Sequence, residues 1–276
     1  MNNVNQTLYI PLYGKSYVSR KGLFLTDKKA EEIWEKEQFP LKGKSKSKWL
    51  AYYMGIRAAV FDDWLREQLE KVDDVVVLHI GCGMDSRVLR VCADKCETVE
   101  NFKWYDVDFP DVIKERECYF TETSNYQMIP ADVTQDDWLK QIDMLQNKTA
   151  VVVMEGVSMY LSKEELRTLL LKLKNNFKEV ILLMDCYTTF AARMSKYKNP
   201  INDVGVTKVY GIDDPKEVER EDFKFVKKHS MTPQKYIEQL SGFERMIFEK
   251  FYAGKMSEKL YQLYEFKSTK EERRWK

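Results

Sequence analysis

The segment DVVVLHIGCG, residues 74–83, constrains this chain more than any other. A run of β-branched and aliphatic residues with no polar alternation reads as a strand buried on both faces. Gly81 and Gly83 then allow a tight turn and a close backbone approach to a ligand. A strand of that kind belongs in a mainly parallel sheet with helices on both sides. The third glycine of a dinucleotide fingerprint is missing, because Ser86 stands where it would fall. A helix that need not close on a pyrophosphate suits a nucleoside with a short zwitterionic tail.

The rest of the chain repeats the strand–helix alternation. NFKWYDVD, QMIPAD, TAVVVMEG and EVILLMDCY read as further strands. DVIKERECYF, DWLKQIDML and SKEELRTLLLKLKNNF read as the helices between them. The last of these opens on Ser162 with Glu165 at the capping-box position. FKFVKKHSM and KLYQLYEFK complete a doubly wound α/β sheet of seven strands, with helical PQKYIEQL between them. Residues 1–70 read as an N-terminal helical cap segment. Asp27 is placed to cap a helix through AEEIWEKEQF that Pro40 ends. Apolar residues at helical spacing, Trp49 to Leu65 among them, predict a long amphipathic helix over Trp49–Lys71 that carries Arg57. Residues 71–276 form the ligand-binding domain, with acceptor-side elements expected around 187–230. The lysines of LKGKSKSKWL, Lys42 to Lys48, read either as a solvated linker or as an anion-attracting entrance.

Ligands of such sheets sit outside the carboxyl ends of the strands, and there the chain places its acids. Asp108 is the natural acceptor for two ribose hydroxyls, since an ionised carboxylate offers two acceptor oxygens. Asp106 lies on the same side of the strand and either orients Asp108 or binds the sugar itself. Asp132, with the Val133 backbone, is placed to meet an adenine edge, or else caps a turn. Glu155 is expected near the amino group of the ligand tail, and Arg57 near its carboxylate.

Composition narrows the partners. The 45 basic and 44 acidic residues nearly cancel, so net charge draws the chain to neither nucleic acid nor membrane. No apolar run reaches the roughly 20 residues of a membrane span, and MNNVNQTLYIPLYGK has no secretory pattern. Five cysteines and two histidines suit a reducing, cytoplasmic setting and argue against a metal site, Cys92 and Cys96 included.

HIGCGMDSRVLR, WYDVDFPDVI, ADV and VMEGVSMYLS together resemble the leucine carboxyl methyltransferases and polyketide-acid O-methyltransferases. The resemblance implies a Rossmann-like class I methyltransferase fold with an antiparallel last strand, S-adenosylmethionine as cofactor, and methyl ester formation on a carboxylate. It implies that Arg57 binds the methionine carboxylate, Gly81 the glycine-loop contact, Asp108 the ribose, Asp132 with Val133 the adenine, and Glu155 the acidic position after strand four. Tyr160 resembles an active-site tyrosine, and Lys48 a basic residue near the acceptor. YDVD departs from the more usual E-x-D pair at Asp106. The short chain leans toward a small-molecule carboxylic acid over a protein C-terminus. Its many aromatic residues favour an apolar or aromatic acid. A phenol or alcohol acceptor, or a non-catalytic cofactor-binding module, are the other readings. Arg193 and Lys208 are candidate acceptor-side cations, His79 reads as a core histidine, and His229 is not assigned as a base.

Overall fold

A computed structural model describes residues 5–41, 43–92, 102–135, 137–142, 147–195, 209–219 and 223–269. Lys42, Cys96 and Lys208 lie outside the described residues. Three helices precede the sheet: α1 (Tyr9–Arg20), α2 (Lys28–Glu37) and α3 (Lys48–Lys71). The strands are β1 (Val75–Ile80), β2 (Lys103–Asp108), β3 (Tyr126–Pro130), β4 (Thr149–Met154), β5 (Glu179–Tyr187), β6 (Phe223–His229) and β7 (Tyr261–Thr269). Between them run α4 (Arg87–Cys92), α5 (Pro110–Arg116), α6 (Lys163–Asn176), α7 (Thr189–Met194), α8 (Gln234–Ile237), α9 (Gly242–Phe251) and α10 (Gly254–Glu258).

The seven strands lie in the order β3-β2-β1-β4-β5-β7-β6. β7 runs antiparallel to both its neighbours, and every other pairing is parallel. Alternate residues of the buried strands serve opposite layers. Val75 and Val77 pack toward α1, α2 and α3, while Val76, Leu78 and Ile80 pack toward α6. The chain leaves β1 first to one side and then to the other, so strand order reverses between β2 and β4. The register sets Ile80 beside Val107 and Met154. Gly81, Asp108 and Glu155, the next residues along, therefore emerge level with one another at the reversal, where such sheets bind ligands.

The anticipated helix at Trp49–Lys71 begins one residue earlier, after the Ser47 cap. It is not amphipathic along its first half, because residues 51–62 are all buried. Small residues let α1 cover its outer face. A Cβ added at Gly14 would lie 2.6 Å from the Met54 Cβ, and one added at Gly55 would lie 2.7 Å from a Val18 methyl. A helix buried all round serves as a core element, and this one presents Arg57 and Asp62 inside the molecule.

Both anticipated caps are in place. Asp27 accepts from the Ala30 N–H at 2.8 Å, and Ser162 and Glu165 form a reciprocal box at the start of α6. Asp27 is buried and also receives Ser86 Oγ and Arg90 at 2.6 Å. Losing it leaves a buried cation with one anion fewer, a class of change that costs about 3–5 kcal/mol. Losing a solvated serine cap costs about 1 kcal/mol. Asp27→Ala is therefore expected to lower the unfolding free energy several times more than Ser162→Ala. Urea denaturation followed by circular dichroism measures both, and equal losses would refute the tie through Arg90.

Candidate cofactor and acceptor site

A cavity of about 820 Å³ opens over the strand ends. Its lining includes Arg57, Gly81, Gly83, Asp108, Asp132, Val133, Glu155 and Tyr160. Thus eight of the nine anticipated residues share one hollow. Asp106 is the exception and does not line it. Its carboxylate is wholly buried and is held by Trp104 Nε1 at 2.8 Å, Tyr126 Oη at 2.7 Å, His79 Nδ1 at 3.1 Å and Arg116. Burial alone would raise its pKa, but Arg116 and His79 hold it down at about 2. With its oxygens taken up in this way, Asp106 acts at one remove. Arg116, paired to it, donates at 2.9 Å to the Gly83 carbonyl and so anchors the glycine turn.

The turn itself is built on left-handed backbone, with φ of 68° at Gly81 and 51° at Gly83. Glycine takes such angles without steric penalty. The absence of a Cβ at Gly81 also has a packing use within the protein. It admits Val157, whose methyl would lie 2.2 Å from an added Cβ. The Gly83 N–H donates to Asp108 Oδ2 at 2.8 Å, and the Phe109 N–H donates to Oδ1, also at 2.8 Å. Each oxygen keeps a further acceptor site. Burial pushes the Asp108 pKa up to about 6, against the lowering effect of those two donors. Asp132, two residues beyond the end of the neighbouring strand β3, also lines the cavity, its Oδ1 accepting from the Thr134 N–H at 2.9 Å and hydroxyl at 2.7 Å.

Glu155 sits between two guanidinium groups. Arg57 Nε lies 2.9 Å from Oε1, and Arg87 bonds Oε2. Burial opposes its charge, yet Arg57 and then Arg87 hold its pKa down at about 2. Arg57 also donates to Asp185 at 3.0 Å, and Asp185 takes the Gly156 N–H at 2.6 Å. The network continues through Arg87 to Asp62 at 2.8 Å and Asp85 at 3.3 Å, and through Arg90 to Asp62, Asp85 and Asp27. Lys15 of α1 lies in the cavity wall and is buried, 3.4 Å from Asp85.

Sequence reading missed Lys15, Asp62, Arg90, Arg116 and Asp185 as parts of this system. Two signals were available: Arg87 and Arg90 stand one helical turn apart directly after GMDS, and Asp62 interrupts an otherwise apolar helix face. Lys15 carries no such signal, since it sits within an ordinary helical stretch.

Tyr160 faces the cavity from the short turn Ser158–Tyr160, its hydroxyl hydrogen-bonded with Thr7. Burial raises its pKa well above the usual tyrosine value, so it is protonated at neutral pH. Beyond it stand Tyr53, Tyr187 and Tyr261, with Tyr261 edge-on to Tyr187 at 4.8 Å between ring centres. Besides residues 187–194, this wall is made by residues 251–261, which the sequence did not single out. Arg193 is not part of the lining, and Lys48 pairs with Glu244 at 2.8 Å. His79 is a core residue, its two nitrogens meeting Asp106 and Arg87. No group of three or more metal-ligating side chains occurs among the described residues.

The fold, the glycine turn and the acids at successive strand ends define a class I S-adenosylmethionine-dependent methyltransferase. Residues 6–174 match the family Leucine carboxyl methyltransferase, and the chain belongs to that family. It is 31% identical over 220 residues to the tetracenomycin polyketide synthesis O-methyltransferase TcmP of Streptomyces glaucescens, covering 79% of each chain. It is 28% identical over 187 residues to the S-adenosyl-L-methionine-dependent methyltransferase dpfgK of Gibberella zeae, covering 64% of this chain and 61% of that one. Among solved structures, a putative methyltransferase from Thermobifida fusca superposes with a TM-score of 0.53 at 14% identity, covering 93% of this chain and 94% of the other. That likeness concerns the fold.

Two of the cavity carboxylates, Asp108 and Glu155, are driven to different pKa values by their surroundings. Carboxyl carbon chemical shifts followed by NMR are expected to place the Asp108 midpoint near pH 6. Glu155 should stay ionised down to about pH 2. A shared midpoint near pH 4 would contradict the burial of Asp108 and the double pairing of Glu155.

Proposed function

We propose that the protein transfers a methyl group to a carboxylate oxygen of a small apolar or aromatic acid, forming a methyl ester. When bound, S-adenosylmethionine supplies an electrophilic methyl group on sulfur, and the residues of the cavity suit its parts. Asp108 holds the ribose hydroxyls, Asp132 and the Val133 backbone meet the adenine, and Glu155 lies at the amino group. Arg57 is already matched by Glu155 and Asp185. Lys15, whose salt bridge among the described residues is the longer one to Asp85 at 3.4 Å, joins it as a partner for the methionine carboxylate.

One observation carries the choice of acceptor: the protonated Tyr160 stands before an aromatic wall, while both histidine rings are already hydrogen-bonded within the protein, His79 included although it borders the cavity. His79 is held by Asp106 and Arg87, and His229 by Glu265 at 2.6 Å. A carboxylic acid of ordinary pKa near 4 is already ionised at neutral pH and requires no base. The chain then has to position one oxygen and strip part of its water. Tyr160 donates to the acceptor carboxylate and fixes its direction. A neutral donor orients the anion without the strong ground-state stabilisation that a paired cation would bring. The free thiols among the described cysteines suit a reducing cytoplasm.

Mass spectrometry of carboxylic acids incubated with labelled methyl donor is expected to show the gain of one methyl as a base-labile ester. An ether or N-methyl product would overturn the ester assignment, and methylation confined to peptides with a free C-terminus would move it to a protein acceptor. Asp108→Ala should weaken cofactor binding by about 10- to 100-fold, as expected for lost hydrogen bonds to a charged group. Because the Asp108 pKa is raised to about 6, the ionised form prevails above that pH. Affinity should therefore fall as pH drops through 6, and Asp108→Asn should lose this dependence in isothermal titration. Tyr160→Phe should lower kcat/KM by about tenfold while leaving cofactor affinity unchanged.

A further inference from the structure

Two features at the cavity mouth are left unused by this scheme. The first is a set of apolar side chains that line the cavity and yet face water: Met194 is 50% exposed, Phe251 54%, Met256 42% and Leu260 39%. They come from three separate helices, α7, α9 and α10, and from the residue just before β7. Scattered apolar exposure is ordinary, but a contiguous group at a pocket rim marks a binding surface. The second is Lys44, in the turn Gly43–Lys46 that leads into α3. It too lines the cavity. The cations of the lining are Lys15, Lys44 and Arg57. Lys15 and Arg57 have acids within salt-bridge distance, whereas Lys44 pairs with none of the described acids.

The two features meet on one side of the mouth. Trp49, at the start of α3, stacks on Tyr252 with ring centres 5.7 Å apart, and Tyr252 directly follows Phe251. Lys48 and Tyr52 both bond Glu244 of α9 at 2.8 Å. The turn bearing Lys44 is thus held against the helix bearing Phe251. The cofactor-side residues Gly81, Asp108 and Asp132 belong to other strand ends and leave this side open to the acceptor.

We propose that Met194, Phe251, Met256 and Leu260, with Lys44 beside them, form an outer acceptor subsite. It grips the apolar body of an acid that extends past the cavity mouth, and Lys44 draws the anion in. The acceptor is then an amphiphilic carboxylic acid: its head reaches Tyr160 and its apolar body rests on the rim. This rests on the carboxyl-methylation reading for its chemistry, while the rim's grip on an apolar chain can be measured separately.

The test uses straight-chain alkanoic acids of 4 to 14 carbons with the full-length enzyme. Ester formation is measured with S-adenosylmethionine, and acid binding is measured by calorimetry with the S-adenosylhomocysteine-loaded protein. Along the longer members, kcat/KM and affinity should rise by about two- to fourfold per added methylene, as expected for partial burial of each. The double variant Phe251→Ala, Met256→Ala should flatten that rise to under about twofold overall. Cofactor affinity should not change, and kcat/KM for the shortest acid should fall by less than for the longest. Lys44→Glu should raise KM for every acid and leave kcat unaltered, with a salt dependence weaker than in the parent. Ester formation that is flat with chain length, or a slope unchanged by the rim variant, would overturn the subsite and leave the ester chemistry standing. Length-dependent binding that the variant abolishes, with no ester from any acid, would support the subsite and reject the ester chemistry. A dimer in solution that the rim variant dissociates would make the patch a self-association face and overturn the proposal.

Discussion

Arg87 is the point on which the molecule turns. Its guanidinium is wholly buried and touches Asp62 of α3, Asp85 of the glycine turn and Glu155 at the end of β4. One side chain therefore ties the N-terminal helices, the ligand turn and the central sheet together. A buried guanidinium is tolerable only when its charge is matched and its donors are used. That requirement fixes where three carboxylates stand. Arg57 repeats the arrangement one step outward, bridging Glu155 to Asp185. Arg116 repeats it beneath the turn, bridging Asp106 to the Gly83 carbonyl.

Such networks are a poor source of net stability. Desolvation of each ion offsets much of the Coulomb gain, and apolar replacements of similar volume are often equal or better. What they contribute here is position. Glu155 and Asp85, which border the cavity, are oriented from behind by buried arginines. Glu155 is held ionised by two arginines, while Asp108, supported by backbone N–H groups alone, rises to about pH 6 under burial. The same cavity thus holds two acids with well-separated pKa values, because one has cations behind it and the other has a glycine turn. Pocket carboxylates with divergent pKa values mark separate tasks at a site.

Much of this architecture was legible beforehand. The apolar runs, their spacing and the turn glycines specified the parallel strands and their order of appearance. The capping residues Asp27 and Ser162 marked the helix starts. Residues following strands fell at the ligand rim because the parallel register leaves their ends level. Of the two roles read for Asp106, direct contact with the sugar does not fit its placement, for a related reason. Its alternation with Asp108 along β2 was read correctly, but the strand is covered by α5 at Asp106 and open only at its final residue. A period-two pattern gives the face of a side chain and says nothing about how far the cover extends.

The sequence by itself determined the class of sheet, the position of the glycine turn and the set of acids available at its edge, because these follow from local periodicity and backbone conformation. Only the tertiary structure decided which of those acids faces the cavity and which is locked beneath it. It alone brought Lys15 from α1 into the wall and set the Phe251–Leu260 segment against the mouth. Those placements depend on contacts between residues distant along the chain. No local pattern encodes the partner of a buried charge or the direction in which a distant helix packs.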